Sequence, residues 1–160
     1  MRTRLQLSSA AEHEGGHNDL MLAALKGHTG TVKTLLESRV DVNAKDDEGR
    51  TALMFAVTNL RKDSIKALLD HGADVNVTAN DGCTALMLAA SSGDSEIVRA
   101  LLRKGADLSG RFTETGKTAL MLAREKGYTE IEQVLQQAEQ NNRDLVRLSK
   151  RVTNEKRQAQ

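Results

Sequence analysis

The chain contains no proline and no tryptophan, one tyrosine, two phenylalanines and one cysteine. With aromatics at 2% of 160 residues and hydrophobic residues at 39%, the core must be built from Leu, Ala, Val, Ile and Met. A single cysteine, Cys83, excludes an internal disulfide and fits a reducing compartment. An excess of one charge sign is also missing. Charged residues make up 28%, yet the net charge is +1, which argues against a chain that binds nucleic acid over its whole surface. No apolar run approaches the length of a membrane-spanning helix. The opening residues 1–11 carry Arg2 and Arg4 but lack the apolar segment of a secretory signal. One compact domain in an intracellular, cytoplasmic protein is the expectation. The lack of proline bears on the helix starts below.

What is present is self-similarity. Residues 49–76 read GRTALMFAVTNLRKDSIKALLDHGADVN, residues 82–108 read GCTALMLAASSGDSEIVRALLRKGADL, and residues 116–138 read GKTALMLAREKGYTEIEQVLQQA. An earlier copy, residues 16–43, reads GHNDLMLAALKGHTGTVKTLLESRVDVN. Equivalent positions Asn18, Thr51, Thr84 and Thr118 lie 33, 33 and 34 residues apart. Each precedes an Ala/Leu/Met-rich run, where its side-chain oxygen can cap the first helical amides. A short helix follows, as over 85–91, and Gly93 breaks it. A second helix carries Ile97, Val98, Ala100, Leu101 and Leu102 at helical spacing, and Gly105 suits a left-handed C-terminal cap. The Asp-, Asn- and Gly-rich segment 73–82 reads as an extended turn. One such unit cannot bury its apolar face alone, whereas four stacked units can.

This pattern resembles the ankyrin-repeat family over roughly residues 13–138. The residues that carry the likeness are the Gly-x-Thr-x-Leu openings, the pairs Leu22-Ala23, Leu88-Ala89 and Leu122-Ala123, and Gly-Ala-Asp-Val-Asn at 72–76. The resemblance implies an all-α solenoid of four helix-turn-helix repeats, at about 13–45, 46–78, 79–112 and 113–138, with hairpin-like loops. Residues 1–12 form a separate N-terminal segment in this reading, and 139–160 a basic helical extension. The chain departs from the family's Thr-Pro-Leu-His. Ala52, Ala85 and Ala119 replace the proline, and Met54, Met87 and Met121 replace the histidine. Loss of that polar tip predicts loops less firmly cross-linked. Arg39 and Leu60 stand where glycine is expected, which predicts two irregular turns.

The array has a recognisable end. Val98 and Leu102 of the third copy become Glu132 and Gln136 in the fourth, and a fifth repeat would have to bury both. The fourth copy therefore reads as a cap. At the other end, Leu5 and Leu7 are candidates to cover the first repeat. Beyond Glu130 the chain stays helix-forming, with Ile131, Val134, Ala138, Leu145, Leu148 and Val152 at three-four spacing. Asn141 interrupts the stripe and Glu155 ends it. Packing on the last repeat, or a tail that frays after Gln140, is the plain reading of this stripe, and a monomer is the expectation. A coiled-coil seam, hence a dimer, or a partner-binding helix is the sharper reading, and against the seam stands the lack of complementary charges at the flanking positions.

Short motifs weigh little. His13-Glu14-Gly15-Gly16-His17 matches the H-E-x-x-H zinc-peptidase pattern, but two central glycines, each costing about 1 kcal/mol relative to Ala in a helix, disfavour the helical turn that would align both imidazoles. No catalytic residue, metal ligand or cofactor is assigned, and an enzyme is the weakest class. The segments Asp41-Val42-Asn43 and Asp74-Val75-Asn76 faintly resemble calcium loops but place Asp46 and Ala79 where glycine is required. Asn76-Val77-Thr78 is a glycosylation sequon, expected to stay unmodified without a secretory signal. Cys83 sits near a loop tip, where exposure is anticipated, though Asp81 beside it gives no basic activation. His28 and His71 read as structural turn residues.

The family resemblance further implies a concave protein-binding groove. Carried onto this chain, its loop residues are Asp47, Glu48, Arg50, Asn80, Asp81, Cys83, Glu114, Thr115 and Lys117. Its helix-end residues are Leu25, Lys26, Thr58, Asn59, Ser91, Ser92, Glu125 and Lys126. The tips lean acidic through Asp46, Asp47, Glu48, Asp81 and Glu114, the centre is small at Ser91 and Ser92, and none of these positions is aromatic. A partner with a basic, aromatic-bearing segment fits that chemistry. Two alternatives remain. The tail carries Arg143, Arg147, Lys150, Arg151, Lys156 and Arg157 against Asp144 and Glu155, a charge of +4, which suits nucleic acid or an anionic membrane. The other alternative is an engineered repeat scaffold without a natural partner.

Overall fold

A computed structural model of the protein describes residues 17–158. The N-terminal segment, the candidate cover residues Leu5 and Leu7, and His13 to Gly16 of the zinc-like motif lie outside the described residues. Within them run eight helices: α1 (Asp19–Lys26), α2 (Thr29–Glu37), α3 (Ala52–Thr58), α4 (Lys62–Asp70), α5 (Ala85–Ser92), α6 (Ser95–Arg103), α7 (Ala119–Lys126) and α8 (Thr129–Gln158). They form four successive antiparallel pairs. First helices stack as a row, α1 on α3, α3 on α5 and α5 on α7, while α2 packs on α4 and α6 on α8. This is an all-α repeat fold.

The first helices are short and Ala-rich, and that lets the row close up. Ala24, Ala56, Ala89 and Ala123 are fully buried between neighbours, with Leu53, Leu86, Met54 and Met87 filling the space beside them. Helix starts follow the sequence at three of four places. Asn18 Oδ1 accepts from Met21 N at 2.9 Å, Thr84 Oγ1 from Met87 N at 3.3 Å and Thr118 Oγ1 from Met121 N at 3.4 Å. Thr51 holds the same extended backbone but makes no cap bond.

Of the two turns expected to be irregular, the one at Leu60 is regular, while the one at Arg39 keeps the left-handed backbone but not the bond that Ala73 N and Ala106 N make to Leu68 O and Leu101 O in the equivalent turns. Arg39 and Leu60 adopt φ of 61° and 55°, the left-handed region that glycine occupies in the other copies. At Leu60 the hydrogen bonds match too. Arg61 N donates to Ala56 O at 2.9 Å, as His28 N does to Ala23 O at 3.0 Å after Gly27. The turn is kept by its hydrogen bonds and by packing of the helices on either side, and the non-glycine residue carries the backbone strain.

Loop cross-linking is likewise supplied from elsewhere. Neighbouring tips are joined by Asn80, whose N donates to Glu48 O and whose Nδ2 donates to Asp47 O, both at 2.9 Å. Thr113 repeats the tie with N and Oγ1 on Asp81 O, at 2.8 and 3.1 Å. Below the tips, Asn43 Oδ1 accepts from Asp74 N at 2.8 Å and Asn76 Oδ1 from Asp107 N at 2.7 Å. These bonds account for both leftover motifs. The aspartates of the calcium-like segments accept from Asn43 N and Asn76 N in local turns, and the sequon's Asn76 spends both side-chain ends on the next repeat, its Nδ2 donating to Gly105 O at 3.0 Å.

At the C-terminal end the side chains that the sequence marks as polar bond to one another. Arg124 Nε and Gln136 Nε2 both donate to Glu132 Oε1, at 2.8 and 2.9 Å, so the outer face is polar and internally bonded. Glu139 stands where Arg39, Gly72 and Gly105 end the earlier second helices. Nothing there favours a left-handed turn, and α8 runs on for 30 residues. No described helix is long and apolar enough to cross a membrane.

Candidate functional site

The loops between successive pairs rise as tips beside the first helices. Asp46 shows how a tip is built. Its carboxylate is buried and accepts from Glu48 N at 3.0 Å, Arg50 N at 2.7 Å and Arg50 Nε at 2.9 Å. His17 Nε2 lies 3.3 Å away. Asp46 is therefore the tip's internal anchor and not part of an acidic surface, which corrects the sequence reading. Asp81 has a related task, holding Cys83 N at 2.9 Å, yet stays exposed with Asp47, Glu48 and Glu114. Tips approach closely. Gly82 has φ of 85°, and a Cβ there would come within 2.2 Å of Arg111 O, so only glycine fits. The extra residue of the 34-residue spacing lies in the last tip, where Gly116 N reaches back to Phe112 O, against Gly82 N to Ala79 O one tip earlier.

Between tips and first helices lies a pocket of about 660 Å³. It gathers Leu25, Glu48, Arg50, Thr58, Asn59, Asn80, Asp81 and Cys83 of the expected residues and adds Met54, Phe55, Ala79 and Leu88. Cys83 is buried in its wall, contrary to the anticipated exposure. Burial first, then the charge of Asp81, pushes its thiol up to about 12, so it lines the pocket as an inert thiol. Thr58 Oγ1 donates to Met54 O and Asn59 Nδ2 to Phe55 O, both at 2.9 Å, which turns their polar atoms back onto α3.

The residue that sequence reasoning missed is Phe55. It is half-buried in the pocket, with the Arg50 guanidinium 4.9 Å from its ring centroid and the His17 ring edge-on at 5.1 Å. Glu48 closes the rim through a 2.8 Å ion pair with Arg50. The signal was available. Phe55 occupies the position of Leu22, Leu88 and Leu122, one half-buried apolar residue per repeat along the same face.

The remaining expected residues stand outside this pocket. Ser91 and Ser92 are half-buried on α5, Ser92 Oγ donating to Ala89 O at 2.9 Å. Lys117 and Glu125 pair at 2.9 Å near the last tip. Lys26, Thr115 and Lys126 are exposed at the margins. On the opposite side a second groove, about 910 Å³, opens between α4 and α6. Its edges are tied by Lys62 to Asp94 at 2.9 Å and Arg99 to Glu130 at 3.3 Å. Among the described residues no group of three or more His, Cys, Asp or Glu is placed to hold a metal ion.

A family model described as ankyrin repeats (three copies) matches residues 4–79 and 76–144. No curated protein matches the chain significantly. Ankyrin repeats generally mediate protein–protein interaction and are typically non-catalytic.

Proposed function

Because the chain belongs to the ankyrin-repeat family, we propose that it is a non-catalytic module whose concave side, formed by tips and first helices, holds a segment of another protein. The four helix pairs are four repeats in this reading, spanning 13–138. One observation carries it. The pocket combines an apolar floor of Phe55, Met54 and Leu88 with a rim of Glu48, Asp81, Asn59 and Asn80. A floor able to bury a large side chain inside a polar rim is the anatomy of a protein-binding patch.

The exposed carboxylates Asp47, Glu48, Asp81 and Glu114 favour a basic segment, and an aromatic or long aliphatic side chain from it suits the floor beside Phe55. The groove already holds one aromatic of its own. The partner's apolar anchor therefore completes a cluster and does not supply the only one.

The test begins with capture of partners by the full chain and their identification, followed by titration of the partner against variants. Phe55→Ala should weaken binding about tenfold or more, while Asp47→Lys with Glu48→Lys should weaken it and flatten its salt dependence. Asp81→Asn is the suitable change at the third acid, since it preserves the acceptor for Cys83 N. Unchanged affinity in the Phe55 variant sinks the groove reading, and unchanged affinity in the charge variant removes the basic-segment part. Binding lost on truncation at Ala138 and abolished by salt would move the function to the cationic tail.

A further inference from the structure

Beyond Glu139, α8 leaves the array and exposes Leu145 by 65%, Leu148 by 56% and Val152 by 50%. Of the four large apolar side chains exposed in this segment, these three fall on one line, and Val146 lies beside it. With Ala138 and Asn141 the three recur at alternating intervals of three and four, the spacing of a coiled-coil seam. The line starts on the array itself, at the half-buried Val134 and Ala138, so an established packing face continues into solvent uncovered.

The lack of complementary flanking charges noted from the sequence holds for parallel pairing only, and the charges beside the seam distinguish the possible occupants. Asp144 and Arg151 occupy the same flank, one on each side of the Leu145–Leu148 pair. Two copies of α8 running in the same direction would set Asp144 beside Ser149, and no opposite charges would meet. Running in opposite directions, Leu145 of each copy lies against Leu148 of the other. Asp144 of each then faces Arg151 of the other, twice by symmetry. The antiparallel arrangement also sends the two arrays to opposite ends, because each array sits at the N-terminal end of its α8. Arg151 has no ion pair of its own in the described structure, and Asp144 has only a loose one, 3.8 Å from Arg147.

From this self-complementarity we propose that the stripe is covered by a second copy of the chain, the two α8 helices pairing antiparallel over about residues 138–155. The inference rests on α8 alone and is independent of the groove reading. The central layers hold four leucines. The outer layers set Asn141 against Val152 and weaken the seam, so the pairing is reversible.

Sedimentation velocity of the full chain over a wide concentration range tests it. A monomer–dimer equilibrium is expected, and Leu145→Ser with Leu148→Ser should leave a monomer whose array melts as before, since both side chains are exposed. Asp144→Arg alone, or Arg151→Asp alone, should weaken the dimer about tenfold, and the two together should restore it. A chain that stays monomeric throughout overturns the proposal. So does a dimer that survives the two serine substitutions, or a charge swap that fails to rescue. Binding to phosphatidylserine vesicles that depends on Leu145 and Leu148 while the chain remains monomeric would assign the stripe to a lipid surface instead.

Discussion

Residues 85–89 and 119–123 are the same five amino acids, Ala-Leu-Met-Leu-Ala, on the first helix of the third and fourth pairs. Both segments are helical and both are capped by threonine. Yet Met87 is 1% exposed and Met121 46%. The loop tips repeat the contrast. Gly82 is pressed by the next tip, whereas nothing lies within 4 Å of a Cβ built on Gly116. Local sequence specifies the element, and the next copy along the array decides what that element buries. Stability in such a chain resides at the junctions between units.

That comparison can be broken most directly at the methionines. Met87→Ala should cost about 3 kcal/mol, the range for emptying a buried methionine site. Met121→Ala should stay within about 0.5 kcal/mol, as exposed substitutions do. Urea denaturation of both variants measures the difference, and equal losses would mean that the terminal pair is as well packed as the interior.

A smaller effect sharpens the contrast from the side of strain. Leu60 is partly exposed and holds a left-handed backbone that its side chain disfavours. Leu60→Gly should stabilise the array by about 1 kcal/mol, seen as a higher urea midpoint at unchanged slope. Destabilisation would show that Leu60's packing outweighs its backbone.

Smallest are the polar ties along the second helices. Asp94 caps α6 through Glu96 N and Ile97 N and pairs with Lys62. Its burial would raise the carboxyl, but Lys62 and the two amides outweigh it and hold the group below its ordinary value of 3.8. Ser109, through its amide and then its hydroxyl, lowers Asp107, and the Ser95 hydroxyl, then Arg99, lowers Glu130. For each carboxylate the folded value is the lower one. Its contribution is thus complete above the ordinary value and disappears as pH falls through the lowered one. Lys62, raised by Glu96 and then Asp94, behaves oppositely, contributing fully below 10.5 and losing the contribution as pH rises through its raised value. Urea midpoints should therefore be flat across neutral pH and fall below about pH 4. Asp94→Asn, which keeps a cap acceptor, should cost a few tenths of a kcal/mol at pH 7 and make the acid limb shallower.

The fold was legible because its signals are local. The 33-residue period, the Thr and Asn before each first helix and the glycines after it all act within a few residues of their own position. The polar end face at Glu132 and Gln136 could be read for the same reason. The site was less legible because its chemistry is assembled across repeats. That Asp46 is buried depends on Arg50 and His17, and Cys83's burial depends on the neighbouring loops. The ties that replace the missing histidines come from Asn80 and Thr113, residues that look like ordinary loop polars in one dimension. Phe55 was passed over because it substitutes for a leucine in the repeat's own pattern, and a core-like pattern hides a groove-lining residue.

Glu139 has a mechanical consequence. With no turn at that position, α8 extends some 20 residues past the array, about 30 Å at the rise of an α-helix. Side-chain pairs four apart brace it, Gln137 to Asn141, Gln140 to Asp144 and Arg143 to Glu139. Such a shaft is a lever. A 10° change in how α8 seats on α6 and α7 would sweep its far end by about 5 Å, so a small adjustment at the root becomes a readable displacement at the tip.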